Sequence, residues 1–234
     1  MPVALITGAS AGLGRALATE LARRGWQLII DARGRPRLDG VAEELRGFTE
    51  VRAIPGDVAV PAHRVELAAA VAAFDGLDLL VNNASMLGPT PLRPLAGLTA
   101  TEFADILEVN TIAPLALIQL NLPALVRGGG TVVNITSDAA AEHYETWGGY
   151  GASKAALEHL TGTLAAEHPG VHFYAVDPGD LRTQMHQAAF PGEDISDRPL
   201  PETAVGPILA LLEQSAPSGR YRGADVALAS AASR

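Results

Sequence analysis

Six short apolar runs are spaced along the 234 residues: VALIT (3–7), WQLII (26–30), VRAI (51–54), LDLLVN (77–82), TVVNI (131–135) and VHFYAV (171–176). Between them lie stretches of helical period at 13–24, 38–46, 61–74, 99–126, 150–167 and 202–214, and a weaker seventh run lies in 221–228. A strand that is apolar on both faces is stable only where helices cover both sides of its sheet. Strands alternating with helices therefore predict an α/β fold with a doubly wound parallel sheet of about seven strands. There is no internal repeat or linker, and the Pro/Gly-rich stretches 88–97 and 191–201 are too short to divide the chain, so one domain is expected over 1–234.

Composition removes several classes of function. Hydrophobic residues make up 48% and charged residues 18%, enough apolar material for a large core. A net charge of −9 leaves no basic excess to neutralise phosphates, so no nucleic-acid partner is expected. The absence of cysteine excludes disulfides and thiol chemistry, and without thiolate support the six histidines suggest no metal site. No uninterrupted apolar run reaches about eighteen residues, and the start, MPVALITGAS, lacks a basic leader segment. The expectation is a cytoplasmic protein with no membrane partner.

The chemistry begins at TGASAGLG (7–14), between the first strand and the first helix. Gly8 permits a tight turn, Gly12 leaves room for a pyrophosphate against the backbone, and Gly14 lets helix and strand pack closely. The unpaired N–H groups of the helix N-terminus then attract phosphate. A second signal is YGASK (150–154), which holds the only lysine among seventeen side-chain cations. Tyr150 and Lys154 are four residues apart and share a helix face. An ammonium about 4 Å from a phenol is worth roughly 4 kcal/mol at an effective dielectric near 20, or about three pKa units. On that reasoning Lys154 would bring Tyr150 toward the range of neutral acid–base work. A compact ammonium also fits where a guanidinium fork does not.

Together with DV (57–58), NNAS (82–85), EVN (108–110), NITS (134–137) and DPGDLRT (177–183), these motifs resemble, in order and spacing, the single-domain short-chain dehydrogenase/reductase family. Ser85 stands where that family usually has glycine, and the end after residue 220 lacks the family's glycine-rich close. The resemblance implies a Rossmann-type fold, a nicotinamide cofactor and hydride exchange with a small carbonyl or alcohol substrate. It assigns catalysis to Asn110, Ser137, Tyr150 and Lys154. Ser137 would hold the substrate oxygen, and Asn110 would bind a water that passes protons through Lys154.

For the cofactor the resemblance points to Gly8, Ser10, Gly12, Leu13, Gly14, Asp57, Val58, Asn83, Ala84, Tyr150 and Lys154. Pro178 and Gly179 would wall the nicotinamide, while Leu181 and Thr183 would contact its carboxamide and phosphate. At the end of strand 2 an acid selects NAD and an arginine selects NADP. The acid position falls on Ala32 with Arg33 beside it, and Asp31, one residue early, should face the other side of the strand. NADP is expected over NAD. His143, Tyr144 and Trp147 either line a substrate pocket or pack a loop. A non-catalytic dinucleotide sensor and an epimerase or dehydratase are the alternative classes. The sparsely charged outer faces of 99–126 and 155–166 suggest a homodimer or homotetramer.

Overall fold

The computed structural model describes residues 1–74 and 76–226. Seven strands, β1 (Val3–Ile6), β2 (Gln27–Ala32), β3 (Val51–Pro55), β4 (Leu79–Asn82), β5 (Thr131–Ile135), β6 (His172–Asp177) and β7 (Gly219–Arg222), form one sheet in the order β3-β2-β1-β4-β5-β6-β7. Every pairing is parallel, with Leu5 opposite Ile29 on one side and Leu80 on the other. The chain builds outward from β1 through β2 to β3, then returns to β4 on the other flank. That reversal opens a crevice beyond the carboxyl ends of β1 and β4, where ligands bind in such sheets.

Alternation along the strands sends successive side chains into two cores. Ile6, Ile30, Val81, Val133 and Tyr174 pack with helices α1 (Gly12–Arg23), α2 (Arg35–Arg46) and α8 (Val205–Glu213). Leu5, Ile29, Leu80, Val132 and Phe173 pack on the other face with α3 (Pro61–Ala72), α5 (Ala113–Gly128) and the end of α6 (Gly148–Glu167). The doubly wound, Rossmann-like architecture expected from the sequence is the one observed. A buried polar ladder crosses it: Asn82 Nδ2 donates to Asn134 Oδ1 at 2.8 Å, and Asn134 Nδ2 donates to Thr161 Oγ1 on α6 at 2.9 Å.

The differences from expectation have local causes. The stretch 99–126 is not a single regular helix: α4 (Ala100–Leu107), opened by a Thr99–Glu102 capping box, runs through a π-helical turn (Glu108–Ile112) into α5. Gly129, at φ 61°, stops α5 in the left-handed region. By length and mean hydropathy this 29-residue segment could cross a membrane, although no uninterrupted apolar run suggested it; 44% of its most apolar window is buried. Its inner side packs on the sheet core through Leu117, Ile118 and Leu125. Strand β2 runs two residues past the predicted Ile30, to Ala32. Helix α7 (Gln184–Ala189) forms in a stretch that gave no periodic signal. The weak last strand is β7, earlier and shorter than 221–228, and residues 227–228 lie outside the described part.

Candidate active site

The glycine turn is locked against the end of β4. Gly8 and Gly12 have φ of 66° and 54°, values open to glycine. A Cβ on Gly14 would lie 2.5 Å from both the Gly8 carbonyl oxygen and Asn83 Nδ2. Asn83 Nδ2 donates to the Thr7 carbonyl at 2.9 Å, while Thr7 Oγ1 accepts the N–H groups of Asn83 and Ala84, each at 3.0 Å. Helix α1 begins after Ala11 with no side-chain cap and no acid in its first turn. Its free N–H groups therefore fit an anionic phosphate from outside the chain.

A cavity of about 650 Å³ runs from this turn to α6. Of the expected cofactor residues, Gly8, Ser10, Gly12, Leu13, Asn83 and Ala84 line its centre, and Arg33, Asp57 and Val58 one end. Tyr150, Lys154, Pro178, Gly179, Leu181 and Thr183 line the other end, with Ser137 among them. Gly14 stands behind the turn and Asn110 behind the wall, and neither lines the cavity. His168 and His172, the histidines four apart, are separated by Pro169-Gly170 between the end of α6 and β6.

Tyr150 and Lys154 are almost fully buried, at 9% and 2% exposure. Lys154 Nζ donates to the Ile135 carbonyl at 2.8 Å and lies 5.5 Å from the centre of the Tyr150 ring. Burial opposes the lowering of the phenol expected from the sequence. Burial drives Tyr150 well above its ordinary value, against the smaller opposing effect of hydroxyls from Ser85 and Ser137. Burial also pushes the Lys154 ammonium down to about 7, so the cation meant to stabilise a tyrosinate is itself half lost near neutrality.

Ser137 follows β5 and caps a short 3₁₀ turn. Its Oγ donates to Asp138 Oδ1 at 2.8 Å, and Tyr144 donates to Asp138 Oδ2 at 2.9 Å. Asn110, fully buried in the π-helical turn, has a full set of partners. Its Nδ2 donates to the Met86 carbonyl and Ser153 Oγ; its Oδ1 accepts from the Met86 N–H and Ser85 Oγ. Two donors and two lone pairs are thereby engaged, so the expected water cannot be held by this side chain. Asn110 is a brace between the β4 loop and α6.

At the far end Arg33 is exposed on the cavity rim, and Arg37 reaches across to Gln184 at 2.9 Å. Asp31 points to the face covered by α3, where its carboxylate accepts the Gly8 N–H at 3.0 Å and meets His63 Nε2 at 3.0 Å.

A family model described as short chain dehydrogenase matches residues 2–194. The chain belongs to the short-chain dehydrogenase family. An uncharacterised oxidoreductase of Mycobacterium tuberculosis is 33% identical over 198 residues, 82% of this chain and 74% of its own. Sepiapterin reductase of Mus musculus is 36% identical over 201 residues, 80% of this chain and 77% of its own. Among solved structures, an alcohol dehydrogenase of the archaeon Thermococcus sibiricus complexed with 5-hydroxy-NADP superposes with a TM-score of 0.86 at 32% identity, covering 95% of each chain. A short-chain dehydrogenase of Escherichia coli complexed with NADPH gives 0.88 at 28% identity, covering 95% and 96%. This short-chain dehydrogenase is therefore an oxidoreductase by family.

Sequence reasoning missed Asp138, Met185 and His186, all on the cavity wall, and the contact between Asp31 and His63. Asp138 carried a readable signal, an acid directly after Ser137. His63 carried none, being 32 residues from its partner. Trp147 lines the cavity and meets Tyr150 edge-on at 5.7 Å, whereas Tyr144 acts through Asp138 and His143 is not on the wall.

Burial of Lys154 has a measurable consequence. Because its folded value of about 7 lies below the ordinary 10.5, the unfolded chain holds a proton between those limits that the folded chain has released. This group's contribution to stability therefore rises with pH across that window, and its cost is greatest below about 7. Relative to wild type, Lys154→Met is expected to be most stabilised at pH 6 and to lose that advantage by about pH 10. Urea denaturation of both proteins across pH checks this; a constant difference would show that the ammonium is solvated.

Proposed function

We propose that this short-chain dehydrogenase is an NADP(H)-dependent oxidoreductase acting on a carbonyl or secondary alcohol as one catalytic domain, with Tyr150 as general acid and base. The carrying observation is the convergence of Tyr150, Ser137 and Lys154 at one end of a cavity whose centre is an uncapped helix N-terminus. The bound cofactor supplies or accepts the hydride. Ser137 and Tyr150 hold the substrate oxygen. The buried phenol favours its neutral form, which suits it to donate a proton as charge develops on that oxygen. Lys154, titrating near neutrality, can return the proton. Since the Asn110 side chain is fully engaged, any water in that relay is held by main chain near the π-helical turn. Ser137 must turn its hydrogen from Asp138 to meet a carbonyl. A non-catalytic sensor would not need this set of groups.

Tyr150→Phe is expected to retain cofactor binding and fold while losing at least about a thousandfold in kcat, because only the proton donor is removed. Turnover of NADPH over a panel of ketones and aldehydes finds the substrate. More than a few percent of wild-type activity in the variant would assign the acid elsewhere.

NADP is preferred because Arg33 is exposed on the rim of the cavity while the neighbouring carboxylate of Asp31 is engaged by Gly8 and His63. A charge-assisted phosphate contact is worth about 1.5–3 kcal/mol, so Arg33→Ala is expected to weaken NADP by roughly ten- to a hundredfold and NAD hardly at all. Titration calorimetry with both cofactors decides it; tighter NAD binding by the wild type would refute the assignment.

The protein is a homodimer or homotetramer in this reading. Ile112, Leu120 and Val126 are exposed along the π turn and α5, an apolar face suited to a second copy. Light scattering at micromolar concentration should give a multiple of the monomer mass; the monomer mass itself would exclude assembly.

A further inference from the structure

His63 and Asp31 form a buried pair that the catalytic chemistry does not use. Asp31 is 1% exposed and His63 6% exposed, with His63 Nε2 3.0 Å from Asp31 Oδ2. The other carboxylate oxygen accepts the Gly8 N–H at 3.0 Å, and the Asp31 carbonyl accepts the Ala9 N–H at 2.9 Å. The imidazole lies directly beneath the main chain of Gly56: a Cβ there would be 2.2 Å from His63 Nδ1. Gly56, Asp57 and Val58 form the cavity wall beside Arg33 and Asp31. The pair thus underlies the end of the cavity at which Arg33 would meet a 2′-phosphate.

We infer that His63 is a specificity-positioning residue: it holds Asp31 against Gly8 and cancels its charge, so that an acid at the end of β2 neither takes a ribose hydroxyl nor repels a 2′-phosphate. The inference rests on the reading of Arg33 as the NADP-selecting side chain. An acid so near the ribose would otherwise favour NAD. Buried in a low dielectric, an unpaired carboxylate would repel a phosphate across several ångströms. Three features remove that conflict. Strand alternation turns the carboxylate to the α3 face, one N–H of the phosphate turn fixes one oxygen, and the imidazole fixes the other. The 3.0 Å contact places the imidazole on the carboxylate oxygen that Gly8 leaves open. Burial raises the Asp31 carboxyl and the Asp31 contact raises the His63 imidazole, and both shifts favour a proton shared between the two groups. Whichever atom carries that proton, the pair is electrically neutral. The remaining acids nearby are Glu66, 3.7 Å from His63 Nδ1 and exposed to water, and Asp57, whose Oδ1 accepts the Ala59 N–H at 2.9 Å.

The test is the ratio of NADP⁺ to NAD⁺ affinity, by titration calorimetry at pH 7, in wild type, H63Q, D31N and the double variant, each first shown to melt cooperatively. Glutamine keeps a donor for Asp31 but supplies no charge. H63Q is expected to bind NADP⁺ at least about tenfold more weakly while NAD⁺ changes by less than about threefold, the size of an uncompensated charge near a phosphate. D31N, which removes the charge, is expected to stay within about threefold of wild type for NADP⁺, and the double variant to recover most of what H63Q loses. Equal weakening of both cofactors in H63Q would mean a structural role only. No change in H63Q, or no recovery in the double variant, would equally overturn the inference. A wild type that prefers NAD⁺ would refute the Arg33 reading on its own. The change in ratio on going to H63Q decides the role of His63 in either case.

Discussion

The site depends on a close approach of main chain to main chain at the reversal of the sheet. After β1 the chain must turn back over its own strand end, and after β4 it must pass beside that turn. Asn83 and Thr7 tie the two segments by four hydrogen bonds, with Asn83 Nδ2 reaching both the Thr7 and Gly8 carbonyls and Thr7 Oγ1 serving two N–H groups. The approach is possible only because positions 8 and 14 carry no Cβ: one there would meet Ala84 or Asn83 at 3.0 Å or less. The same turn leaves the N-terminus of α1 uncapped and aimed at the cavity. Sheet order, glycine turn and phosphate affinity are one constraint seen at three scales.

The end of the cavity at α6 is held by a different set of contacts. Helix α6 carries Tyr150 and Lys154, and its position is set by the buried ladder from Asn82 through Asn134 to Thr161. Ser153, between Tyr150 and Lys154 on the helix, donates to the Tyr150 carbonyl at 2.6 Å and accepts from Asn110. Thr111 donates to the Ser153 carbonyl at 2.9 Å. The π-helical turn supplies Asn110 and Thr111 as two consecutive buried polar side chains. A regular helix through 108–112 would not present the two consecutive positions in the same way. Irregularity in the helix is thus what fixes the regular helix beside it.

Much of this was legible in the sequence. Six of the seven strands, the helices that cover them, the glycine turn and the Tyr-Lys spacing are local patterns, and local patterns survive without knowledge of the fold. Many of the residues on the cavity wall followed from ordered motifs, though Asp138, Met185 and His186 did not. What escaped was of two kinds. The π turn and α7 have weak or misleading local periodicity, so tertiary packing decides them. The environment of charged groups was misjudged because a pairwise Coulomb estimate omits desolvation. Lys154 beside Tyr150 reads as a stabilised tyrosinate, whereas 2% exposure makes the ammonium itself the costly species. Likewise Asn110 reads as a free amide until Met86, Ser85 and Ser153 are seen to occupy it.

The two ends of the cavity share one electrostatic principle. At the catalytic end burial favours the neutral phenol and weakens the ammonium. At the other end a buried carboxylate is matched by an imidazole and a main-chain N–H. The strong, permanently charged groups, Arg33 and Arg37, stand outside on the exposed rim. Asp138, Asp177 and Asp180 line the catalytic half of the wall, which leaves the Arg33 end as the one suited to a second phosphate. In the proposed reading, phosphate arriving at the α1 terminus and at Arg33 meets exposed donors, while Arg37 already reaches Gln184. On the proposed reading, selectivity follows from where charge has been cancelled, at Asp31 and His63, as much as from where it has been placed, at Arg33.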